Sequence, residues 1–247
     1  MCLHLLHCKH MADATPQLRV DAAQLLTQSP ADALTSYFAL EHDARRVKLY
    51  IRTSSNGLTR AFVAVCQTGV DLFRPLVVMR GDDANALRDA LQEALAPGRH
   101  YLLSAPPSLQ PDISALCHIN GESTNSVYTL AKDRFQPVVN ILAQSSKTPD
   151  GMLRASVPAR DGSNAAEAGT SWISSRYGEV YVQVVEGARQ RGFGKSVVSA
   201  VCVALHERNR APLYITRSDN TASRKLAERL GFHDSGALEL SGAIVLR

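Results

Sequence analysis

The feature that most restricts the fold of this chain is a strand, a glycine-rich turn and an apolar helix in direct succession around residue 190. Residues 179–185, EVYVQVV, are rich in β-branched side chains and predict a strand. Glycines follow at 192 and 194, and the periodicity of apolar residues after them predicts a helix to about Arg208. A buried strand joined to a long apolar helix favours an α/β fold.

The turn at residues 189–196, RQRGFGKS, has the properties of a phosphate-binding site. Glycines allow backbone N–H groups to converge, and a helix N-terminus favours an anion through its dipole and unpaired donors. Arg189, Arg191 and Lys195 add positive charge. A P-loop would need glycine at position 189, and a dinucleotide fingerprint would need a third glycine at Val197. A strand–helix turn with incidental glycines is the alternative that binds nothing.

A second motif lies about 28 residues beyond the glycines, after a predicted strand at residues 212–217. Residues 220–232, NTASRKLAERLGF, start with an asparagine suited to cap a helix and contain Gly231, suited to end it. Arg189-x-x-Gly192-x-Gly194 followed by this motif resembles the two signatures of the GNAT superfamily of N-acetyltransferases. The resemblance covers roughly residues 137–247.

The resemblance implies an α/β fold with a mixed, mostly antiparallel sheet, in which a central pair of parallel strands splays apart. The pair would consist of residues 179–185 and 212–217. The sequence of the N-terminal part predicts the same succession of strands and helices as the C-terminal part, so two tandem GNAT-like halves are expected. The N-terminal half carries Gly81, Asp82 and Asp83 where the glycine-rich turn would lie, and two carboxylates there would repel a pyrophosphate. It is therefore expected to be a degenerate repeat or an accessory domain.

Three segments are expected along the chain: a disordered leader at 1–16, the N-terminal domain at 17–136 and the acyltransferase domain at 137–247. Residues 1–10, MCLHLLHCKH, hold three His and two Cys but are too short to fold a metal site alone, so no metal is expected. They also lack the cleavage site of a signal peptide, and cytoplasm is the default location.

Charge and hydropathy limit the partners. From residue 137 onward, 14 Lys and Arg stand against 10 Asp and Glu, so the whole net charge of +4 lies in the C-terminal part. This excess is too small to indicate nucleic acid. The longest apolar run, residues 197–205 interrupted by Ser199, is far shorter than a bilayer span, so no membrane partner is expected.

The resemblance implies acetyl-CoA as the acyl donor. Backbone groups of the first splayed strand would bind the pantetheine arm, the N–H groups of 190–195 would hold the pyrophosphate, and the start of the following helix would contact the donor. The expected donor-binding residues are Val184, Val185, Arg189, Gln190, Arg191, Gly192, Phe193, Gly194, Lys195, Asn220 and Ser223.

Acyl transfer to an amine needs a base, donors for the developing oxyanion and a way for the thiolate to leave. Glu179 opens the first splayed strand, where many GNAT enzymes carry a catalytic glutamate, and is the expected base; otherwise it is exposed or paired with Arg176. Many members have a tyrosine acid where this chain has Ala227. Tyr181 and Tyr214, on the two splayed strands, are the candidate acids, although aromatic residues on strands more often belong to the core.

The resulting expectation is an N-acetyltransferase that acts on the amine of a small molecule or an amino acid. The alternative is an acyl-CoA-binding sensor or interaction module without catalysis, which the missing tyrosine at 227 favours. A protein acetyltransferase would suit an acidic groove better than this basic half. Trp172 either lines an acceptor site or packs in the core. No motif indicates which amine is accepted or the oligomeric state.

Overall fold

A computed structural model describes residues 14–247 of the chain, so the expectations for residues 1–10 lie outside the described part. The helices are α1 (Pro16–Ala23), α2 (Ala33–Ser36), α3 (Ala84–Ala94), α4 (Gln110–Leu116), α5 (Phe193–Glu207) and α6 (Thr221–Arg229). The strands are β1 (Val47–Thr53), β2 (Thr59–Cys66), β3 (Leu76–Gly81), β4 (His100–Ala105), β5 (Cys117–Thr129), β6 (Gln144–Lys147), β7 (Leu153–Pro158), β8 (Asn164–Ile173), β9 (Tyr177–Val184), β10 (Ala211–Arg217) and β11 (His233–Leu246).

These elements form two compact units that alternate along the chain. The first unit contains residues 14–27, 38–122 and 242–247, and the second contains residues 28–37 and 123–241. The long strands β5 and β11 are thereby divided between the units. The domain assignment expected from the sequence, with its boundary after residue 136, is a different division of the chain and stays a prediction.

The first unit has the strand order β1-β2-β3-β4, followed by the last residues of β11 and the first residues of β5. The strands β3 and β4 are parallel and are joined by α3. At the start of α3 the carboxylate of Asp83 accepts a hydrogen bond of 2.8 Å from the N–H of Ala86. The position that would attract an anion at this helix is thus filled by the protein's own carboxylate.

The second unit has the strand order β11-β5-β10-β9-β8-β7-β6, in which β9 and β10 are parallel. The helix α5 packs on one face of this sheet through residues spaced three and four apart, as an amphipathic helix does. Val197, Val201 and Leu205 are buried there against Val180 of β9 and Tyr214 of β10. Burial of each such aliphatic side chain contributes about 1.5–3 kcal/mol. The central prediction, a mixed sheet of GNAT type with a parallel pair, is confirmed.

Two local predictions from the sequence are wrong. The polar residues 144–151, QSSKTPDG, predict a turn or linker, but Gln144–Lys147 form the edge strand β6, which pairs with β7 through its backbone while all four residues stay exposed. The sequence after Gly231 predicts two short strands, at residues 232–240 and 243–246, but β11 is continuous. Gly242 permits close contact rather than a break, because a Cβ there would lie 3.1 Å from the Asn120 carbonyl oxygen. Ser29-Pro30 predicts the start of a helix, and this is confirmed: residues 30–41 are continuously helical, with Ser29 at the N-cap position, although the stretch passes from 3₁₀ through α to π geometry.

No helix among residues 14–247 is both long and apolar enough to cross a membrane.

Candidate active site

The strands β9 and β10 pair at only three positions and then separate. The pairs are Ala211 with Tyr177, Pro212 with Gly178, and Leu213 with Glu179. Beyond them β9 stays paired with β8, and β10 continues beside β5. The splayed parallel pair that the resemblance implied is therefore present, with Glu179 at the point of separation.

Beyond this point one edge of β9 has no strand beside it. The N–H of Val185 donates to the Ala165 carbonyl at 3.1 Å, and the Val185 carbonyl accepts from the Ala188 N–H at 3.0 Å. Because hydrogen-bonded pairs alternate along an antiparallel ladder, the backbone N–H and carbonyl groups of Val184 and Val182 point the other way. They face the gap between the separated strands β9 and β10, which we call the cleft. Of the two expected pantetheine contacts, Val184 thus has backbone groups open to a ligand, whereas those of Val185 already have partners. That either residue binds the acyl donor stays a prediction.

The turn before α5 has the backbone shape of an anion site. Gln190 and Gly192 both adopt positive φ, +62° and +80°, and Gln190 is one of only two non-glycine residues in the described chain that do. Such left-handed positions let successive N–H groups point to one side. The Ser196 N–H bonds back to the Gly192 carbonyl, so the N–H groups of residues 193–195 have no partner within the helix.

Glycine at 192 and 194 serves two different purposes. A Cβ at Gly192 would meet nothing within 4 Å, so this position faces open space. A Cβ at Gly194 would lie 3.1 Å from Cγ2 of Val184, so this glycine lets the start of α5 approach β9 closely.

Positive charge surrounds the turn. Arg189 and Arg191 are exposed, and Lys195 is half-buried. The Arg191 guanidinium lies over the ring of Phe193, 4.9 Å from its centre. The predicted basic, glycine-rich turn is thus assembled from the expected residues, and its binding of a phosphate stays a prediction.

The loop that contains Val138 and Asn140 anchors the first turns of α5. The Val138 N–H donates to Ser199 Oγ at 2.8 Å, and the Asn140 side-chain amide donates to Ser196 Oγ at 3.1 Å. Both serines lie on the buried side of α5. Only a contact in space joins the loop to the helix, so no local sequence signal could have shown it.

Glu179 lies on the face of β9 opposite to α5, because side chains alternate along a strand and Val180 faces the helix. Its side chain is half-buried. Burial, and to a smaller extent repulsion from Glu239, raise the pKa of the Glu179 carboxyl to about 7, while a hydrogen bond with the Trp172 side chain acts to lower it. The pairing with Arg176 considered above is not formed, since that guanidinium donates to the Gln28 side chain.

A β-bulge brings Trp172 to the same face. In the ladder of β8 and β9, Thr170 pairs with Val180 but Trp172 pairs with Glu179, so Ser171 is an extra residue. Without that residue Trp172 would face α5. The indole instead stacks on Tyr37, with ring centres 5.2 Å apart and planes 17° apart. Both rings belong to the second unit.

Tyr214 lies on the opposite face of the sheet, toward α5 and α6. It is 3% exposed, and burial raises the pKa of its hydroxyl. That hydroxyl is 2.9 Å from Ser223 Oγ, and the Ser223 N–H donates to the capping Asn220 side chain at 3.1 Å. The expected cap at Asn220 is confirmed, and Tyr214 reaches the first turn of α6, one turn before Ala227.

Tyr181 lies away from the cleft. Its ring crosses Gly169 of β8, where a Cβ would be 2.7 Å from the Tyr181 hydroxyl oxygen. The hydroxyl donates to Glu167 at 3.0 Å and accepts from Arg154, which is itself paired with Glu167 at 2.5 Å. The structure therefore brings Glu179 and Tyr214 to the point where the strands separate, but leaves Tyr181 on the β7 side.

The described residues 14–247 contain no group of three His, Cys, Asp or Glu side chains that could hold a metal ion.

Comparisons with known proteins agree with this geometry. Residues 160–239 match the family described as FR47-like protein, which is related to GNAT. No curated relative matches the sequence.

Several solved structures share the fold. A GCN5-related N-acetyltransferase-like protein from Streptococcus suis has a TM-score of 0.58 and 15% identity, over 94% of this chain and 99% of that one. A GNAT-family protein from Novosphingobium aromaticivorans has a TM-score of 0.57 and 14% identity, over 80% and 92%. A tandem GNAT protein from the clavulanic acid biosynthesis pathway has a TM-score of 0.52 and 12% identity, over 81% and 82%. Together with the family match, they confirm the resemblance to the GNAT superfamily.

Proposed function

We propose that this protein is an N-acetyltransferase that moves the acetyl group of acetyl-CoA to the amine of a small molecule or an amino acid. One observation carries the proposal. The two parallel strands separate at Glu179, a half-buried carboxyl whose pKa of about 7 suits a base at neutral pH. The turn before α5 and the open edge of β9 border the same cleft. The cytoplasmic location expected from the sequence stays a prediction.

The donor side is formed by backbone more than by side chains. The N–H groups of residues 190–195, with Arg189, Arg191 and Lys195 around them, suit the two negative charges of a pyrophosphate. Gly192 leaves the turn open toward a ligand. The open groups of Val184 suit the amides of a pantetheine arm, and Asn220 and Ser223 start the helix on the other side. Acetyl-CoA supplies an activated acyl carbon as a thioester.

The acceptor side is the face that carries Glu179. In our proposal Glu179 takes one proton from the acceptor's ammonium group, which frees the nitrogen lone pair to attack the thioester carbon. The C–N bond forms and the C–S bond breaks. The nitrogen then loses a second proton, which balances the proton that the thiolate receives, so the products are the amide, the CoA thiol and protonated Glu179. With a pKa of about 7, a large share of Glu179 is ionised at neutral pH, and it binds a proton more readily than an exposed glutamate does.

Tyr214 is the better placed of the two candidate acids. It stays protonated at neutral pH because burial raises its pKa. Tyr214 follows Leu213, the partner of Glu179, and faces the helices, whereas Glu179 faces away from them. In our proposal the ammonium proton leaves on one face of the sheet, and Tyr214 protonates the departing thiolate on the other.

Calorimetric titration with acetyl-CoA tests the donor site, with ATP and NAD as controls. The matched variants Gly192→Asp and Gly192→Asn have side chains of the same shape that tolerate positive φ, and they differ only in charge. At a separation of roughly 6 Å and an effective dielectric constant of about 40, a carboxylate repels each pyrophosphate charge by about 1.4 kcal/mol. We expect Gly192→Asp to bind acetyl-CoA about 100-fold more weakly than Gly192→Asn, and less so at high salt. Equal affinities in the two folded variants would contradict the placement.

Release of CoA thiol in the presence of a panel of small amines and amino acids tests catalysis. Amine-dependent release that Glu179→Gln suppresses is the expected result. Selective binding of acetyl-CoA without release on any amine would favour the sensor alternative, for which the absent tyrosine at 227 is the supporting observation.

A further inference from the structure

The indole nitrogen of Trp172 is a buried donor that has no regular partner. Trp172 is 2% exposed, and its Nε1–H forms no hydrogen bond of normal geometry with a described residue, although the Trp172 side chain lies close enough to Glu179 to lower the pKa of that carboxyl. A buried donor without a partner has lost the hydrogen bond that it makes with water in the unfolded chain, and this loss destabilises the folded protein. The atom is shielded from bulk water, and buried polar groups usually have a hydrogen-bond partner, so a neighbouring acceptor is expected.

Glu179 is the group placed to supply that partner. It pairs directly with Trp172 across β8 and β9, and the bulge at Ser171 places both side chains on one face. The stack on Tyr37 fixes the plane of the indole. A hydrogen bond from a neutral donor to a carboxylate is shorter and stronger than one to a carboxylic acid. The pairing is therefore expected to tighten when Glu179 loses its proton.

We infer that Trp172 donates its indole N–H to the ionised Glu179 carboxylate and so holds this base in position. Trp172 is a positioning residue, since it acts through Glu179 and not on the acceptor. The inference assigns a task within the proposed acetyl transfer and rests on that function. Glu239 is the other charged group that acts on Glu179, Tyr177 lies on the same face of β9, and Arg176 is held by Gln28.

The direct test needs no substrate, because Trp172 is the only tryptophan in the chain. Its fluorescence is recorded between pH 5 and 9 in the wild-type protein and in Glu179→Gln. Gln accepts the same hydrogen bond but does not titrate. We expect a change in emission with its midpoint near pH 7 in the wild type and none in the variant. A wild-type emission that does not vary with pH, or an equal change in both proteins, would overturn the inference.

A second test uses Trp172→Phe, which keeps an aromatic ring against Tyr37 but removes the N–H. Loss of a hydrogen bond to the charged form raises the pKa of Glu179, here by about one unit. The acid limb of the pH–rate profile then moves up by the same amount. The rate falls about fivefold at pH 7 and hardly changes at pH 9. An unchanged acid limb in the folded Trp172→Phe variant would contradict the positioning role. Tyr37→Phe is the control and should not move the acid limb of the pH–rate profile.

The two tests separate the inference from the proposed function. If the fluorescence titrates through Glu179 while no amine is acetylated, the pairing stands and the acetyltransferase proposal fails. If amines are acetylated but the fluorescence does not titrate, the proposal stands and the role of Trp172 is refuted.

Discussion

Replacing Glu179 with Gln is expected to stabilise the protein at alkaline pH while it removes activity. The folded state opposes ionisation of this carboxyl, because burial and Glu239 raise its pKa from 4.5 to about 7. Below pH 4.5 the carboxyl is protonated in both the folded and the unfolded state and contributes nothing. Between pH 4.5 and 7 the unfolded chain has lost the proton and the folded chain keeps it, so the wild type loses stability as the pH rises.

The size of the effect follows from the pKa. Each pKa unit corresponds to about 1.4 kcal/mol, so full ionisation costs the folded state at most about 3.5 kcal/mol. Partial exposure of the side chain to water reduces this to about 2 kcal/mol. For a chain of this size such a gain raises Tm by about 4–8 °C.

Thermal unfolding of both proteins at pH 5 and pH 8.5, followed by circular dichroism, measures the effect. The gap between variant and wild type should widen from pH 5 to pH 8.5. Glu186→Gln, at an exposed carboxylate in the turn after β9, serves as the control and should show little change. A gap for Glu179→Gln that is equal at both pH values would refute the raised pKa. Activity of the variant should fall by a factor of about 10² or more, as expected when a general base is lost.

Two further substitutions test the placement of the tyrosines. Tyr214→Phe should lower kcat about tenfold, because it removes the proton donor for the thiolate. Tyr181→Phe should change kcat less than threefold, because the Tyr181 hydroxyl binds Glu167. Equal effects of the two substitutions in steady-state assays would argue against Tyr214 as the acid. Gly169→Ala forces a Cβ to within 2.7 Å of the Leu153 carbonyl oxygen, so it should reduce the free energy of unfolding by about 1–3 kcal/mol in urea titrations. Gly187→Ala, where a Cβ meets nothing within 4 Å, is its control, and equal losses in both would contradict the packing described for Tyr181.

The parts of the fold that follow from local patterns were predicted from the sequence. The β-branched run of β9, the apolar spacing of α5 and the Asn220 cap each act over a few residues, and all three are where they were expected. The edge strand β6 was missed because it is exposed on every residue, so it has no alternation for a pattern to show. The continuity of β11 was missed because a glycine that makes room for a neighbouring strand looks the same as one that breaks a strand.

The site could be predicted from the sequence only where its functional residues are consecutive in the chain. The glycines and basic residues of the turn are consecutive, so their convergence could be expected. The pairing of Trp172 with Glu179 depends on one bulged residue, which reverses the face of every side chain beyond it. The separation of Tyr181 from Tyr214 depends on which face of each strand meets the helices, and that is decided by packing across the sheet.

In the proposed function, acetyl-CoA binds with its pyrophosphate on the turn before α5. Amide hydrogen exchange followed by mass spectrometry, with and without acetyl-CoA, tests it most directly. The amides of residues 190–195 lack helical partners and should exchange quickly in the free protein. Acetyl-CoA should slow them selectively, while ATP and NAD at the same concentration leave them unchanged. Exchange at 190–195 that acetyl-CoA leaves unaltered at saturating concentration, or that ATP slows equally, would contradict the account.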